Sequence, residues 1–315
     1  MNRIAQRLLV TGALLTTGAL GCADPLIPGP LVTGERGITS IAADDFFVYW
    51  ATGDGAVKKV SIDGGAVTTL VPASAQHLAA DHLAVDDTHV VWTIGETTVA
   101  TVPKDGGEAA ILVEYGGKEI RGLSLDASHV YWSEGEGTLQ KAPRIGGAAE
   151  LLASGQSEPG PPALLTTGLF WTTGIDAGQV MKMQVDGGEP TPVVATASKP
   201  KHLAVTSSNL YWTTLGDSTN GTVNVASLGG DDARMLASGQ EKVDEVAGDL
   251  DAVYWTSSNG TVSTVSLQGG EPTAIVKGPK GKVSLAIGLD SLYWANGTDG
   301  ELWTMHKPSS AAPLY

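Results

Sequence analysis

Hydrophobic segments centred on tryptophan recur along the chain at intervals of about 40 residues. Seven of the eight tryptophans share this spacing and stand at positions 50, 92, 132, 171, 212, 255 and 294. A Gly-Gly pair follows each of the first six, beginning at positions 64, 106, 146, 187, 229 and 269. Two markers with one period indicate an internal repeat, in which each copy buries its apolar faces against its neighbours.

Each copy contains four short strand signals. The first is apolar, as in residues 83–85, and the second carries the tryptophan, as in residues 48–50. The third alternates and ends at the Gly-Gly turn, where Asp63-Gly64 suits a hairpin that needs a positive φ. The fourth is a brief apolar run, as in residues 150–153. Four antiparallel strands in about 40 residues form one propeller blade, so we predict an all-β, seven-bladed β-propeller.

The two ends of the array predict how the ring closes. The seventh copy stops after its third strand, near residues 306–308, and no Gly-Gly pair follows it. Residues 30–34 precede the first copy and match the fourth-strand segments at 150–155 and 234–239. We therefore expect residues 30–34 to complete blade seven, which would leave the ring without an open edge.

The repeat resembles a known family. Tyr-Trp-Thr stands at 211–213 and 254–256, Val-Trp-Thr stands at 91–93, and an aspartate lies six residues before Trp at Asp44, Asp86, Asp126 and Asp249. This pattern is similar to the YWTD repeats of lipoprotein-receptor ectodomains and related secreted bacterial propellers, over about residues 30–307. The resemblance implies a propeller in an extracytoplasmic setting. No copy has an aspartate after Trp-Thr, and that family has six blades, so its receptor function does not transfer.

The first 21 residues have the pattern of a secretory signal peptide. Arg3 and Arg7 precede a mostly apolar run at residues 8–20, which is too short to span a bilayer. Ala19-Leu20-Gly21-Cys22 follows and resembles the lipobox of bacterial lipoproteins, which implies acylation of Cys22; the alternative is an idle thiol. By the same resemblance, Ala23 after the cysteine indicates an outer-membrane lipoprotein of the cell envelope. We expect a signal peptide at 1–21, a lipidated N-terminus and tether at 22–29, a propeller at 30–308 and a tail at 309–315.

Charge narrows the range of partners. A mature chain beginning at Cys22 would hold 17 basic and 34 acidic residues, a net charge of −17. Such a field repels phosphate backbones, which argues against nucleic-acid binding. We expect a monomer that contacts the membrane only through its N-terminal lipid.

The candidate site lies on the loops that join fourth to first strands and second to third strands, because both sets surround the channel mouth. The first set is rich in cations and the second is acidic, a mixed pattern that suits docking of a partner, although charged loops also arise simply because loops are solvated. His82, His202 and Glu245 share one register, ten residues before Trp, and could orient a small polar ligand or line a solvated rim. The candidate residues are Arg36, His82, Lys118, Arg121, Lys201, His202, Lys242, Glu245 and Lys282.

Two functional hypotheses follow. Nucleophile-elbow, metalloprotease and phosphate-loop motifs are absent from the sequence, so we favour a non-enzymatic binding or scaffold module for a protein or glycan in the envelope. The alternative is a hydrolase or lyase that acts on a small polar or sugar substrate at the channel mouth. We predict no cofactor and no metal: the two histidines are three blades apart, which disfavours a shared zinc, and the oxygen-rich segments at 217–221 and 296–300 fit turns better than calcium loops.

Overall fold

The computed structural model of the protein describes residues 27–74, 81–114, 116–117, 119–174, 178–196, 198–216, 219–278, 281, 283–298 and 300–307. The predicted signal peptide, Cys22, the tail at 309–315, Lys118 and Lys282 lie outside these residues. Regular structure in the described segments consists of β-strands, and none of these segments forms a helix that could cross a membrane.

The strands form seven antiparallel sheets of four strands each. The chain begins with β1 (Gly29–Thr33). Blade one has β2 (Ile38–Ala43), β3 (Phe47–Thr52), β4 (Val57–Ser61) and β5 (Thr68–Val71). Blade two has β6 (Leu83–Val85), β7 (His89–Ile94), β8 (Thr98–Pro103) and β9 (Ala110–Glu114). Blade three has β10 (Ile120–Leu125), β11 (His129–Glu134), β12 (Thr138–Pro143) and β13 (Glu150–Ala153). Blade four has β14 (Ala163–Leu165), β15 (Gly168–Thr173), β16 (Gly178–Met183) and β17 (Thr191–Thr196).

The remaining blades follow the same order. Blade five has β18 (Pro200–Val205), β19 (Asn209–Thr214), β20 (Gly221–Ser227) and β21 (Arg234–Gln240). Blade six has β22 (Val243–Gly248), β23 (Ala252–Ser257), β24 (Thr261–Ser266) and β25 (Thr273–Lys277). Blade seven has β26 (Val283–Ile287), β27 (Ser291–Asn296) and β28 (Glu301–His306), with β1 as its fourth strand. The seven-bladed propeller predicted from the repeat is therefore confirmed.

Closure of the ring by the N-terminal strand is also confirmed. Strand β1 pairs antiparallel with β28, and the register joins Gly29 to Thr304 and Thr33 to Glu301. The strand begins one residue earlier than the repeat alignment indicates. Val32 is buried in a cluster with Trp50 of blade one, so the closing strand also packs against the neighbouring blade.

The paired aromatic positions of the repeat form the interfaces between blades. Successive residues of a strand point to opposite faces of the sheet, so the residue before each tryptophan faces one neighbour and the tryptophan faces the other. Each buried cluster joins these two positions across an interface: Tyr49 with Trp92, Val91 with Trp132, Tyr131 with Trp171, Phe170 with Trp212, Tyr211 with Trp255, Tyr254 with Trp294 and Tyr293 with Trp50. The core is therefore divided among seven interfaces between blades.

The aspartates that stand six residues before Trp organise one face of the ring. Asp44, Asp86, Asp126 and Asp249 each accept two backbone N–H hydrogen bonds at 2.7–2.9 Å, from the residues two and three positions further on. Each thereby caps the turn between the first and second strands of its blade. Three of them also pair with a cation from the next blade, in Asp44–Lys104, Asp86–Arg144 and Asp249–Lys307.

These turns and the hairpins between third and fourth strands make up one face, which we call the base. The loops between second and third strands and between fourth and first strands make up the opposite face, the mouth face. Strand β1 starts at the base and β28 ends there, so Ile27 and Lys307 both lie on the base.

Candidate functional site at the channel mouth

β-Bulges place the charged candidates of blades five and six at the mouth. In blade five, Pro200 pairs with Thr214 and Leu203 with Trp212, so Lys201 and His202 lie opposite Thr213 alone. Blade six repeats this geometry, and Asp244 and Glu245 lie opposite a single threonine between two paired positions. Such a bulge locally bends the strand and redirects its side chains.

In blades two, five and six, the threonine after the tryptophan holds the backbone of a candidate residue. The N–H of His82 donates to the hydroxyl of Thr93 at 3.2 Å, and the N–H of His202 donates to Thr213 at 3.3 Å. The N–H of Glu245 makes the same bond to Thr256 at 3.1 Å. The three candidates thus occupy equivalent positions in their blades, as the common register indicates.

A buried carboxylate connects blades five and six. Asp244 is only 8% exposed, and its Oδ1 lies 2.7 Å from the Lys201 Nζ and 3.3 Å from the His202 Nε2. Burial alone would raise the pKa of Asp244. The hydrogen bond from His202 and the charge of Lys201 outweigh burial, so the pKa is held well below its usual range. Asp244 is therefore a carboxylate that binds two side chains of the preceding blade.

Sequence reasoning missed the role of Asp244. Asp244 is not among the nine candidates that the sequence indicates. A signal was present, because Asp244 and Lys201 both stand eleven residues before their tryptophans, in adjacent blades. Opposite charges at one register of neighbouring repeats predict an ion pair between the repeats.

Glu245 extends the connection towards blades seven and one. Its Oε2 accepts hydrogen bonds from the Leu285 N–H at 2.8 Å and from the Ser284 hydroxyl at 3.4 Å. The Ser284 Oγ in turn accepts the Ile41 N–H at 3.2 Å. Polar contacts therefore run along the mouth from blade five through blades six and seven to blade one.

The other candidates lie apart from this cluster. Arg36 and Lys242 are exposed on their loops, and Lys242 has a φ of 46° and accepts a hydrogen bond from the Ser258 N–H. Arg121 is half-buried in blade three. His82 lies in the loop before β6 of blade two, three blades from His202. The structure thus brings Lys201 and His202 together on Asp244, whose sequence neighbour Glu245 bonds blade seven, and it leaves the other described candidates distributed around the mouth.

The arrangement is suited to recognition of polar surfaces. Lys201 and His202 keep 35% and 25% of their side chains exposed, so both can contact a ligand while they hold Asp244. No group of three or more metal-ligating side chains occurs within the described residues. In the oxygen-rich segment that begins at residue 296, the Asn296 Oδ1 accepts hydrogen bonds from the N–H and hydroxyl of Thr298, which is the geometry of a turn.

Comparisons with known proteins establish the class of fold. No protein-family model matches the chain, and no curated protein matches it. A chain of the nidogen/laminin complex superposes with a TM-score of 0.56 at 20% identity and covers 70% of this chain and 94% of its own length. The designed protein Ika8 gives a TM-score of 0.62 at 16% identity, with 88% of this chain and 98% of that chain covered. The WD40 domain of Neurospora crassa Pan2 gives a TM-score of 0.69 at 10% identity, with 91% of this chain and 97% of that chain covered. At these identities the likeness shows a propeller repeat protein.

Proposed function

We propose that this chain is an exported lipoprotein of the bacterial cell envelope whose propeller binds a protein or glycan partner through the mouth face without catalysing a reaction. Residues 1–21 would be removed, Cys22 would carry the lipid that anchors the chain in the outer membrane, and residues 30–308 would form the binding module. The supporting observation is the mouth face itself, where charged side chains of both signs stand on a ring of tightly paired blades. A rigid, charge-patterned surface loses little conformational freedom on binding.

The contacts between blades favour binding over catalysis. The Asp244 carboxylate is occupied by Lys201 and His202, and the Glu245 carboxylate accepts two hydrogen bonds from blade seven. Groups held in this way fix the shape of the mouth.

Charge reversal at the mouth tests the binding function. Arg36→Glu combined with Arg121→Glu should abolish recovery of the partner that the wild-type mature chain retains from envelope extracts. Lys182→Glu with Arg234→Glu is the matched control, since both residues are exposed away from the mouth, Lys182 on the third strand of blade four and Arg234 at the base end of the outer strand of blade five. A partner that both double variants retain equally would contradict docking through the mouth face.

Acylation is tested separately. Metabolic labelling with a fatty-acid analogue should label the wild-type protein and fail to label Cys22→Ala. Absence of label from the wild-type protein would contradict the lipoprotein assignment and leave the binding assay intact.

One observation supports the catalytic alternative. The ring of His202 lies against a carboxylate at the mouth, an arrangement that can orient an imidazole for proton transfer. If the protein hydrolyses or eliminates a small sugar substrate there, combined alanine substitution of His82, His202 and Glu245 should abolish turnover. Unchanged turnover would exclude these residues from catalysis.

A further inference from the structure

Exposed apolar side chains are distributed unequally between the two faces of the ring. Eight large apolar side chains are more than half exposed among the described residues, and none of them lies in a mouth loop. Three of the eight occupy outer strands, at Ile111, Leu151 and Met235. The other five lie on the base, at Ile27, Phe46, Ile145, Leu250 and Leu289.

Four of the base residues surround the point where the chain enters the ring. Phe46, Leu250 and Leu289 protrude from the turns between first and second strands of blades one, six and seven, which are consecutive, and are 71%, 65% and 73% exposed. Ile27 is 65% exposed beside them, just before β1. We call these four residues the base patch.

The turns that carry the base patch are connected across the three blades. Ile27 and Leu289 line one open cleft of about 580 Å³, together with Asp45, the neighbour of Phe46. On the other side, Lys307 pairs with Asp249 at 2.9 Å and donates its N–H to the Asp290 carbonyl oxygen. Those two aspartates are the sequence neighbours of Leu250 and Leu289, so Lys307 joins the two turns.

The tether places this patch close to the proposed anchor. Five residue steps separate Cys22 from Ile27, a span of at most ~17 Å when fully extended. An acyl group on Cys22 would therefore hold the base, and not the mouth, against the lipid surface. Apolar side chains at the tips of turns are suited to enter the interfacial region of a bilayer, where they leave water.

We propose that the base patch is a membrane-contact surface, in which Phe46, Leu250 and Leu289 insert among the lipids around the acylated Cys22 and turn the mouth face away from the membrane. This inference rests on the lipoprotein assignment of the proposed function, and it adds a second membrane contact to the N-terminal lipid that the sequence alone predicts. The acidic side chains around the patch, including Asp45 and Asp63, make zwitterionic lipid the favoured surface and oppose contact with anionic lipid at low salt.

Site-specific labels measure the orientation. Acylation consumes the chain's one cysteine, so an introduced cysteine is then the one thiol available for an environment-sensitive fluorophore. The acylated protein is reconstituted into phosphatidylcholine vesicles that carry a short-range lipid quencher. Labels at Leu289→Cys and Leu250→Cys should lose at least half of their fluorescence, and labels at Arg36→Cys and Lys242→Cys should keep theirs. Equal quenching on both faces, or none on the base, would overturn the proposal.

A matched pair of triple variants separates the patch from the anchor. With a label at Asp63→Cys on the base, serine substitution of Phe46, Leu250 and Leu289 should reduce quenching at least twofold. The control carries serine at Ile111, Leu151 and Met235, which are exposed on outer strands, and should keep wild-type quenching. Equal quenching in the two triple variants would show that the acyl chain alone sets the orientation and would overturn the inference.

Three further readouts distinguish lipid contact from a missing anchor and from self-association. Mass spectrometry of each sample reports acylation, so an unacylated wild-type protein contradicts the proposed function, whereas an acylated protein with an unquenched base contradicts the patch alone. Vesicles with anionic lipid should quench base labels less at low salt, and added salt should restore the quenching. If the Cys22→Ala chain instead forms dimers that the patch triple variant abolishes, the surface is an interface between copies and the membrane assignment is wrong.

Discussion

Removal of the Asp244 carboxylate should weaken the contact between blades five and six. Asp244→Ala removes the acceptor of Lys201 at 2.7 Å and of His202 at 3.3 Å from a site that is 8% exposed. A charge-assisted hydrogen bond in a buried site contributes roughly 1.5–3 kcal/mol. The Lys201 side chain is 35% exposed, so solvent screening reduces the contribution of the Lys201–Asp244 pair to about 0.5–1 kcal/mol. We expect a net loss of about 2 kcal/mol, which lowers the Tm by roughly 4–8 °C.

Tryptophan fluorescence during thermal or urea unfolding is a suitable assay, because the repeat tryptophans lie in the interfaces between blades. Asp81→Ala is the control, since Asp81 is exposed in a mouth loop. A double-mutant cycle with Lys201→Ala should give a coupling energy of about 0.5–1 kcal/mol.

The pKa of Asp244 is lower in the folded protein than in the unfolded chain, so the stabilisation is present above about pH 4 and is lost as the pH falls. The difference between wild type and Asp244→Ala should therefore shrink below pH 4. A Tm unchanged by Asp244→Ala, or a difference that grows in acid, would refute the role of this carboxylate.

Three other substitutions test the packing of the ring. Gly248→Ala would place a Cβ 2.5 Å from the Cε2 of the buried Tyr211, so urea unfolding should show a loss of roughly 1–3 kcal/mol in the free energy of unfolding. Gly116→Ala is the control, because a Cβ at Gly116 would have no atom within 4 Å, and it should show no loss. Val32→Asp puts a charge into the closing interface, and we expect rapid proteolysis at the N-terminal strand; resistance equal to that of wild type would contradict closure by β1. Arg144→Met leaves the largely buried Asp86 of blade two without its cation, and urea unfolding should show a loss of about 3 kcal/mol in the free energy of unfolding. A loss below about 1 kcal/mol would show that solvent screens the Arg144–Asp86 pair.

The fold could be predicted from the sequence because every copy of the repeat meets the same physical requirement. Every interface packs the tryptophan of one blade against the residue before the tryptophan of its neighbour, which is aromatic in six copies and Val91 in blade two. The recurrence of this pair fixes the number of blades and identifies the second strand of each. The residue nine positions before Trp is the partner that pairs with it, as Ile41 with Trp50 and Leu203 with Trp212 show. Blade four departs from this pattern, since Pro162 stands at that position and the first strand is reduced to β14 (Ala163–Leu165).

The candidate site was only partly predictable. The register of His82, His202 and Glu245 follows from the repeat alignment, because the same threonine bond holds the backbone in blades two, five and six. The contacts of Asp244 and Glu245 instead join residues about 40 positions apart in neighbouring copies, and they depend on bulges that the strand pattern does not encode. The apolar turn tips at Phe46, Leu250 and Leu289 interrupt no strand periodicity, so only their exposure in the folded ring identifies them.

The most direct test of the proposed binding role is photo-cross-linking in the producing cell. A photoreactive amino acid at position 242 on the mouth face should give a discrete protein or glycan adduct, and the same residue at position 182, on the third strand of blade four, should give none. Adduct formation at 242 should also disappear in the Arg36→Glu, Arg121→Glu background. Adducts of equal yield at both positions, or none at the mouth in cells that contain the acylated protein, would contradict a binding surface at the mouth of the ring.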